Sequence, residues 1–172
     1  MTDRIKEFRG VSLSSADFSE NRVLFTEWDP NARYAWDAGV AIGRYLSELK
    51  EGLIIGSHCS HCRRTVVPPR TVCEWCFEPM GDWVTLEDTG TVNTFSLCYV
   101  TWDMRRVKVP EISAVIEIDG TLPRAGIMHL LGEVEPEEVK IGMKVQAVWK
   151  AAEEREGAIT DILYFRPTPS DE

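Results

Sequence analysis

Four cysteines at two short spacings are the residues of this sequence best placed to do chemistry: Cys59-Ser-His-Cys62 and, ten residues later, Cys73-Glu-Trp-Cys76. A two-residue gap lets the backbone curl until both sulfurs face one ion at about 2.3 Å, and the longer gap is a hairpin that brings the second pair back to the first. The pattern predicts a closed, four-thiolate structural zinc ribbon, with Cys59, Cys62, Cys73 and Cys76 as ligands. Four soft ligands leave no open position. The ion would hold the fold together rather than activate water, and its binding energy would be folding energy for this segment. Iron fits the same geometry. Two disulfides or a redox CxxC are the competing readings. The chain opens on Met1-Thr2-Asp3-Arg4 without an apolar signal segment, so a reducing cytoplasm is expected, which disfavours disulfides. A redox CxxC belongs near a βαβ pattern and needs only one pair. His58 and His61 read as exposed knuckle residues, and Cys98, in an apolar run, as a buried free thiol.

A second group of residues could bind an anion. Arg70 follows Val67-Pro68-Pro69, where two prolines force an extended path and aim a guanidinium suited to a carboxylate or phosphate, a salt bridge to an acidic neighbour being the plainer alternative. Trp102-Asp103-Met104-Arg105-Arg106-Val107-Lys108 is a basic loop flanked by an aromatic residue, able to grip phosphates or simply to be solvated. No serine-centred nucleophile elbow, Gly-rich phosphate loop or HExxH pair is found, and the lone His129 among apolar neighbours reads as structural, so no catalytic residue is assigned.

The elements that must hold these residues are mostly β. At 172 residues, 44% hydrophobic and of net charge −9, the chain can bury one core with a small metal-stabilised module beside it. No window is long and apolar enough to span a membrane. The negative charge argues against a sequence-independent nucleic-acid binder. Residues 1–52 read as an extended arm followed by an amphipathic helix. Asp29-Pro30 is its start signal, Ala35, Ala38, Ile42, Tyr45, Leu46 and Leu49 its apolar face, and Gly52 its end. A partner surface is the favoured destination for that face. Residues 53–81 form the ribbon. Residues 82–166 carry five strands, near 91–100, 111–119, 126–134, 144–151 and 158–165, with Asp119-Gly120 as a hairpin turn and a glycine corner at Gly142. Five short antiparallel strands closing on themselves make an OB barrel. Residues 167–172 are a tail.

This order of parts resembles the acyl-CoA-associated proteins that join a rubredoxin-like zinc ribbon to an OB-fold. The resemblance covers roughly residues 30–166 and rests on the two CxxC pairs, Pro68-Pro69-Arg70, Ile116-Glu117-Ile118-Asp119-Gly120 and Gly142. It implies a zinc-binding accessory subunit in a hetero-oligomer with a thiolase-fold enzyme. The partner would hold the catalytic residues, and coenzyme A esters would bind at or near the interface. Arg70, Trp102, Arg105, Arg106 and Lys108 are the candidate CoA contacts. The preceding helix makes the chain similar to small subunits of two-component thiolases, including those that cleave aromatic β-ketoacyl-CoA esters. Phe77 departs from the family pattern, which often has glycine after the second CxxC. A single-stranded nucleic-acid module is the competing function, since OB barrels with zinc ribbons serve that purpose too. An independent enzyme ranks third.

Overall fold

A computed structural model describes residues 12–26, 33, 35–101, 103–122 and 124–168. It divides into two compact units, Met1–Trp36 and Asp37–Glu172. In the first, where the sequence reads as an extended arm, a short helix α1 spans Ser15–Ser19. Its start is fixed by Asp17, whose carboxylate accepts bonds from the Ser14 N–H and hydroxyl, both at 2.7 Å. Phe18 meets Phe25 edge to face, with ring centroids 5.3 Å apart.

The second unit begins with helix α2, Gly39–Lys50. The expected start signal, Asp29-Pro30, lies outside the described residues. Ala35–Ala38 are not helical, and Gly39 has φ +70°, a conformation a right-handed helix cannot run through. At the other end the expectation holds. Gly52 adopts φ +79°, its N–H bonds Leu49 O, and Leu53 N–H bonds Glu48 O, which together close the last turn. Ala41, Tyr45 and Leu49 are buried, and Tyr45 and Leu49 join the main core. Of the apolar face expected to meet a partner, Tyr45, Leu46 and Leu49 pack on the chain's own core, whereas Ala35, Ala38 and Ile42 are exposed.

Strand β1, Ile54–His58, is the middle of a three-stranded antiparallel sheet between β2, Thr65–Val66, and β3, Asp82–Leu86. β3 was not anticipated. Its register, Ile54 opposite Leu86 through His58 opposite Asp82, ties the chain leaving the cysteine pairs back to the strand that enters them.

The remaining strands are β4 (Thr89–Val100), β5 (Arg106–Ile118), β6 (Gly126–Leu130), β7 (Lys144–Trp149) and β8 (Ile162–Pro167). They form one antiparallel sheet in the order β6-β5-β4-β7-β8. A parallel bridge from Leu131 to Phe165 joins its two ends, and this closure makes it a barrel. Along β5, Ile112, Ala114, Ile116 and Ile118 are buried at every second position, the period of a strand with one face on the core. Gly90 of β4 lies tight against β5. A Cβ there would lie 2.4 Å from Glu117 O, so no larger residue fits without moving backbone. Gly142 turns the corner at φ +89° and donates its N–H to Val92 O.

Two loops differ from expectation for one reason each. Asp119-Gly120 does not make a two-residue hairpin, because Leu122 exchanges backbone bonds with Thr65 of β2 and the loop must run on to reach it. The last strand starts at Ile162, not 158, because Ile159–Asp161 form a 3-10 turn. That turn exists to place Asp161. Its fully buried carboxylate accepts N–H bonds from Glu156, Gly157 and Ala158 and lies 3.6 Å from Lys150 Nζ.

Phe165, Ile116, Ile162, Val92 and Val145 fill the barrel, and Ile54, Ile55 and Leu86 of the smaller sheet belong to the same core. The cysteine pairs sit on a separate, smaller cluster of Cys59, Val66, Cys73 and Met80.

Candidate metal centre

The two cysteine pairs are built as copies of one backbone turn. In the first, Cys59 N–H bonds Arg64 O and Arg63 N–H bonds Cys59 O. In the second, Cys73 N–H bonds Glu78 O and Phe77 N–H bonds Cys73 O. Each turn closes only if the residue after the second cysteine takes a left-handed conformation, and Arg63 (φ +58°) and Phe77 (φ +60°) both do so. The departure from glycine at Phe77 thus leaves the knuckle's shape intact.

The turns gather all four sulfurs within 4.8 Å of one another, with Cys59–Cys76 and Cys62–Cys73 each at 3.5 Å. A tetrahedral ion with bonds of about 2.3 Å separates its sulfur ligands by about 3.8 Å, which falls inside this range. A disulfide requires about 2.05 Å, and all five cysteines are free thiols. The donor set therefore fits one thiophilic ion. Backbone N–H groups of Cys76 and Trp75 point at the Cys73 sulfur and hold its thiol down to about 6, which favours the thiolate that a metal needs. Burial pushes Cys62 up instead, so an ion must displace its proton.

Surrounding residues fix this turn pair to the sheet. Ser57 is buried and accepts the Arg70 N–H at 2.9 Å. His58 Nδ1 lies 2.9 Å from the Thr65 hydroxyl, so it is half-buried and held within the sheet, while His61 is exposed as expected. Arg64 stacks over Trp75 at 4.3 Å. The Val67–Pro68 peptide is cis.

The candidate anion contacts do not form one cluster of free cations. Arg70 is engaged by Glu74, and Arg105 by Asp103 at 2.6 Å. Arg106 and Lys108 are exposed on the outer half of β5, with no ion pair among the described residues. Trp102 lies outside the described residues. Cys98 is half-buried rather than buried, 4.0 Å from the Ser113 hydroxyl. His129 is satisfied: Nε2 faces Ile159 O at 3.2 Å, Nδ1 accepts the Leu130 N–H, and burial keeps its pKa below the usual value. Sequence reasoning missed Asp161. Its only sign was an aspartate four residues after a glycine in a charged loop.

A knuckle pair closed around one point, followed by a five-stranded closed barrel, defines a zinc-ribbon and OB-fold protein. Comparison with family models agrees. Residues 46–79 match the rubredoxin-like zinc ribbon domain of ChsH2, and residues 83–150 match its C-terminal OB-fold domain. Over 117 residues the chain is 30% identical to a DUF35 domain-containing scaffold protein of Methanocaldococcus jannaschii, covering 66% of this chain and 81% of that protein. The chain belongs to the DUF35 family. A DUF35 crystal structure from Sulfolobus solfataricus, of a protein of unknown function, has 26% identity and a TM-score of 0.52, covering 61% of this chain and 75% of that one. The Ltp2-ChsH2(DUF35) aldolase has the same fold at 21% identity and a TM-score of 0.55, covering 78% and 98% of the two chains. Among the described residues no helix is long and apolar enough to cross a membrane.

Proposed function

We propose that this chain is a non-catalytic accessory subunit of a thiolase-type acyl-CoA complex, in which it helps assemble the enzyme and bind or gate its CoA ester. The observation that carries this reading is the closed four-sulfur site. With every metal position taken by the protein, the ion can stiffen a surface but cannot bind substrate or activate water. Membership of a family with a scaffold member, and the fold shared with the DUF35 component of an aldolase, support a role beside another enzyme. The partner supplies a thiolase fold and the reacting cysteine and histidine. An aromatic β-ketoacyl-CoA is the substrate class in the narrower form of this reading.

For CoA itself, Arg106 and Lys108 are the stronger of the candidate contacts, because Arg70 and Arg105 already share their charge with Glu74 and Asp103. Co-expression with a thiolase-fold chain of the same organism should yield a co-purifying complex with thiolytic activity that neither chain shows alone. Full activity of the thiolase-like chain by itself, with no association, would refute the reading.

A further inference from the structure

Each knuckle offers one sulfur to solvent and keeps one from it. Cys59 and Cys73, the first of each pair, are buried, whereas Cys62 and Cys76, the second of each, are half-buried. The 3.5 Å contacts between sulfurs run across the knuckles, Cys76 to Cys59 and Cys62 to Cys73. Each sulfur that solvent can reach therefore has a sheltered sulfur of the other turn against it. Closing either contact to a disulfide needs an approach of about 1.5 Å.

Oxidation of a cysteine to a disulfide needs a thiolate, access for the oxidant, and a resolving sulfur that captures the first product before it is oxidised further. An ion in the site supplies the first condition, because a metal-bound cysteine is deprotonated. The geometry supplies the other two. Each turn is already pinned within itself, by the Arg63 N–H on Cys59 O and the Phe77 N–H on Cys73 O. What the ion adds is the link between the turns.

We propose that the cysteine centre is also a site of oxidative modification by hydroperoxides, in which the cross-knuckle disulfides Cys62–Cys73 and Cys59–Cys76 replace the ion as that link. The Cys62 thiolate attacks the terminal oxygen of the hydroperoxide: an S–O bond forms, the O–O bond breaks, and the leaving alkoxide takes a proton from water. The Cys73 thiolate then attacks the Cys62 sulfur, an S–S bond forms, and the hydroxyl departs with a proton as water. The two cysteines have lost two electrons and the peroxide has gained them. Left with two sulfur ligands, the ion leaves the site. A second hydroperoxide converts Cys76 and Cys59 in the same way. The two bonds nest, Cys62–Cys73 inside Cys59–Cys76, so they close the hairpin that the ion closed. The chemistry belongs to the ribbon alone and needs neither a partner subunit nor a CoA ester.

Hydrogen peroxide added to the zinc-loaded full chain tests this, with zinc release followed by a colorimetric chelator and connectivity by peptide mapping. Trypsin cuts after Arg63, Arg64 and Arg70, which separates the two knuckles. After oxidation the peptide with Cys59 and Cys62 and the peptide with Cys73 and Cys76 should run as one linked species, with the zinc released, and dithiothreitol with added zinc should restore the starting form. Cys98→Ser removes the fifth thiol and should give the same linked peptides as the wild-type chain. The oxidised, zinc-free chain should melt above the reduced, zinc-free chain. Two separate peptides, each with an internal disulfide, would overturn the cross-knuckle assignment, and zinc retained at roughly a tenfold excess of peroxide would overturn the modification site itself. Sulfinic or sulfonic acids at Cys62 and Cys76 in place of disulfides would show that the buried sulfurs do not resolve them, and would overturn it too. An oxidised chain that melts no higher than the reduced, zinc-free one would refute the replacement of the ion by the disulfides.

Discussion

The ribbon and the barrel solve the same problem, holding a small β structure together, by different physics. The barrel is held by area removed from water: Phe165, Ile116, Ile162, Val92 and Val145 are almost wholly enclosed, and alternate residues of β5 supply one wall. The cysteine end has only Cys59, Val66, Cys73 and Met80 for a core, and β2 is two residues long. Such a cluster cannot stabilise itself, so a cross-link between sulfurs must substitute for burial. The gain is freedom of surface. Where an ion holds the backbone, the side chains between the ligands need not face inward, and Trp75, Phe77 and Val72 point outward.

The comparison can be broken most severely at the ion. Cys59→Ser removes one of four ligands and should abolish stoichiometric zinc and cost more stability than any single barrel substitution, several kcal/mol, read by metal content and thermal melting together. A variant with normal zinc and melting would remove Cys59 from the ligand set. In the barrel the largest loss should come from Phe165→Ala, at about 3–5 kcal/mol by denaturant unfolding, with zinc content unchanged. Loss of zinc in that variant would show that the two halves are not held independently of each other's chemistry.

A smaller effect sharpens the picture at Asp161. Burial tends to raise its pKa, but N–H donors from Glu156, Ala158 and Gly157 and the charge of Lys150 outweigh this and leave it below the ordinary carboxylate value. A group whose pKa is lower folded than unfolded stabilises the fold above its unfolded value, about 3.9, and loses that contribution as pH falls through the folded value. Asp161→Asn should therefore cost about 1–3 kcal/mol at pH 7, with the gap to wild type closing in acid below about pH 4. A pH-independent difference would mean that the carboxylate's charge is not what the loop uses.

Legibility from sequence followed the range of the interaction. The knuckles, the Gly52 helix end and the Gly142 corner are local, set within about six residues, and each appears where its residues indicate. The strands of the barrel were readable by alternation, with ends displaced by up to five residues. What went unread depended on distant partners. β3 exists because Ile54–His58 needs a second neighbour, the Asp119-Gly120 loop runs long to reach Thr65, and α2 faces inward because β1 and the barrel core leave a surface for Tyr45 and Leu49. Two of the candidate CoA contacts, Arg70 and Arg105, proved to have carboxylate partners, Glu74 and Asp103, each within a few residues.

The sequence alone determined the four ligands and the class of fold, because CxxC spacing and two-residue alternation are properties of a short length of backbone. Only the folded chain decided that the helix lays Tyr45 and Leu49 on the core, and that an aromatic ring on the second knuckle is left in water at a left-handed backbone position. Burial is a relation between segments far apart in the chain, and no single stretch of residues contains it.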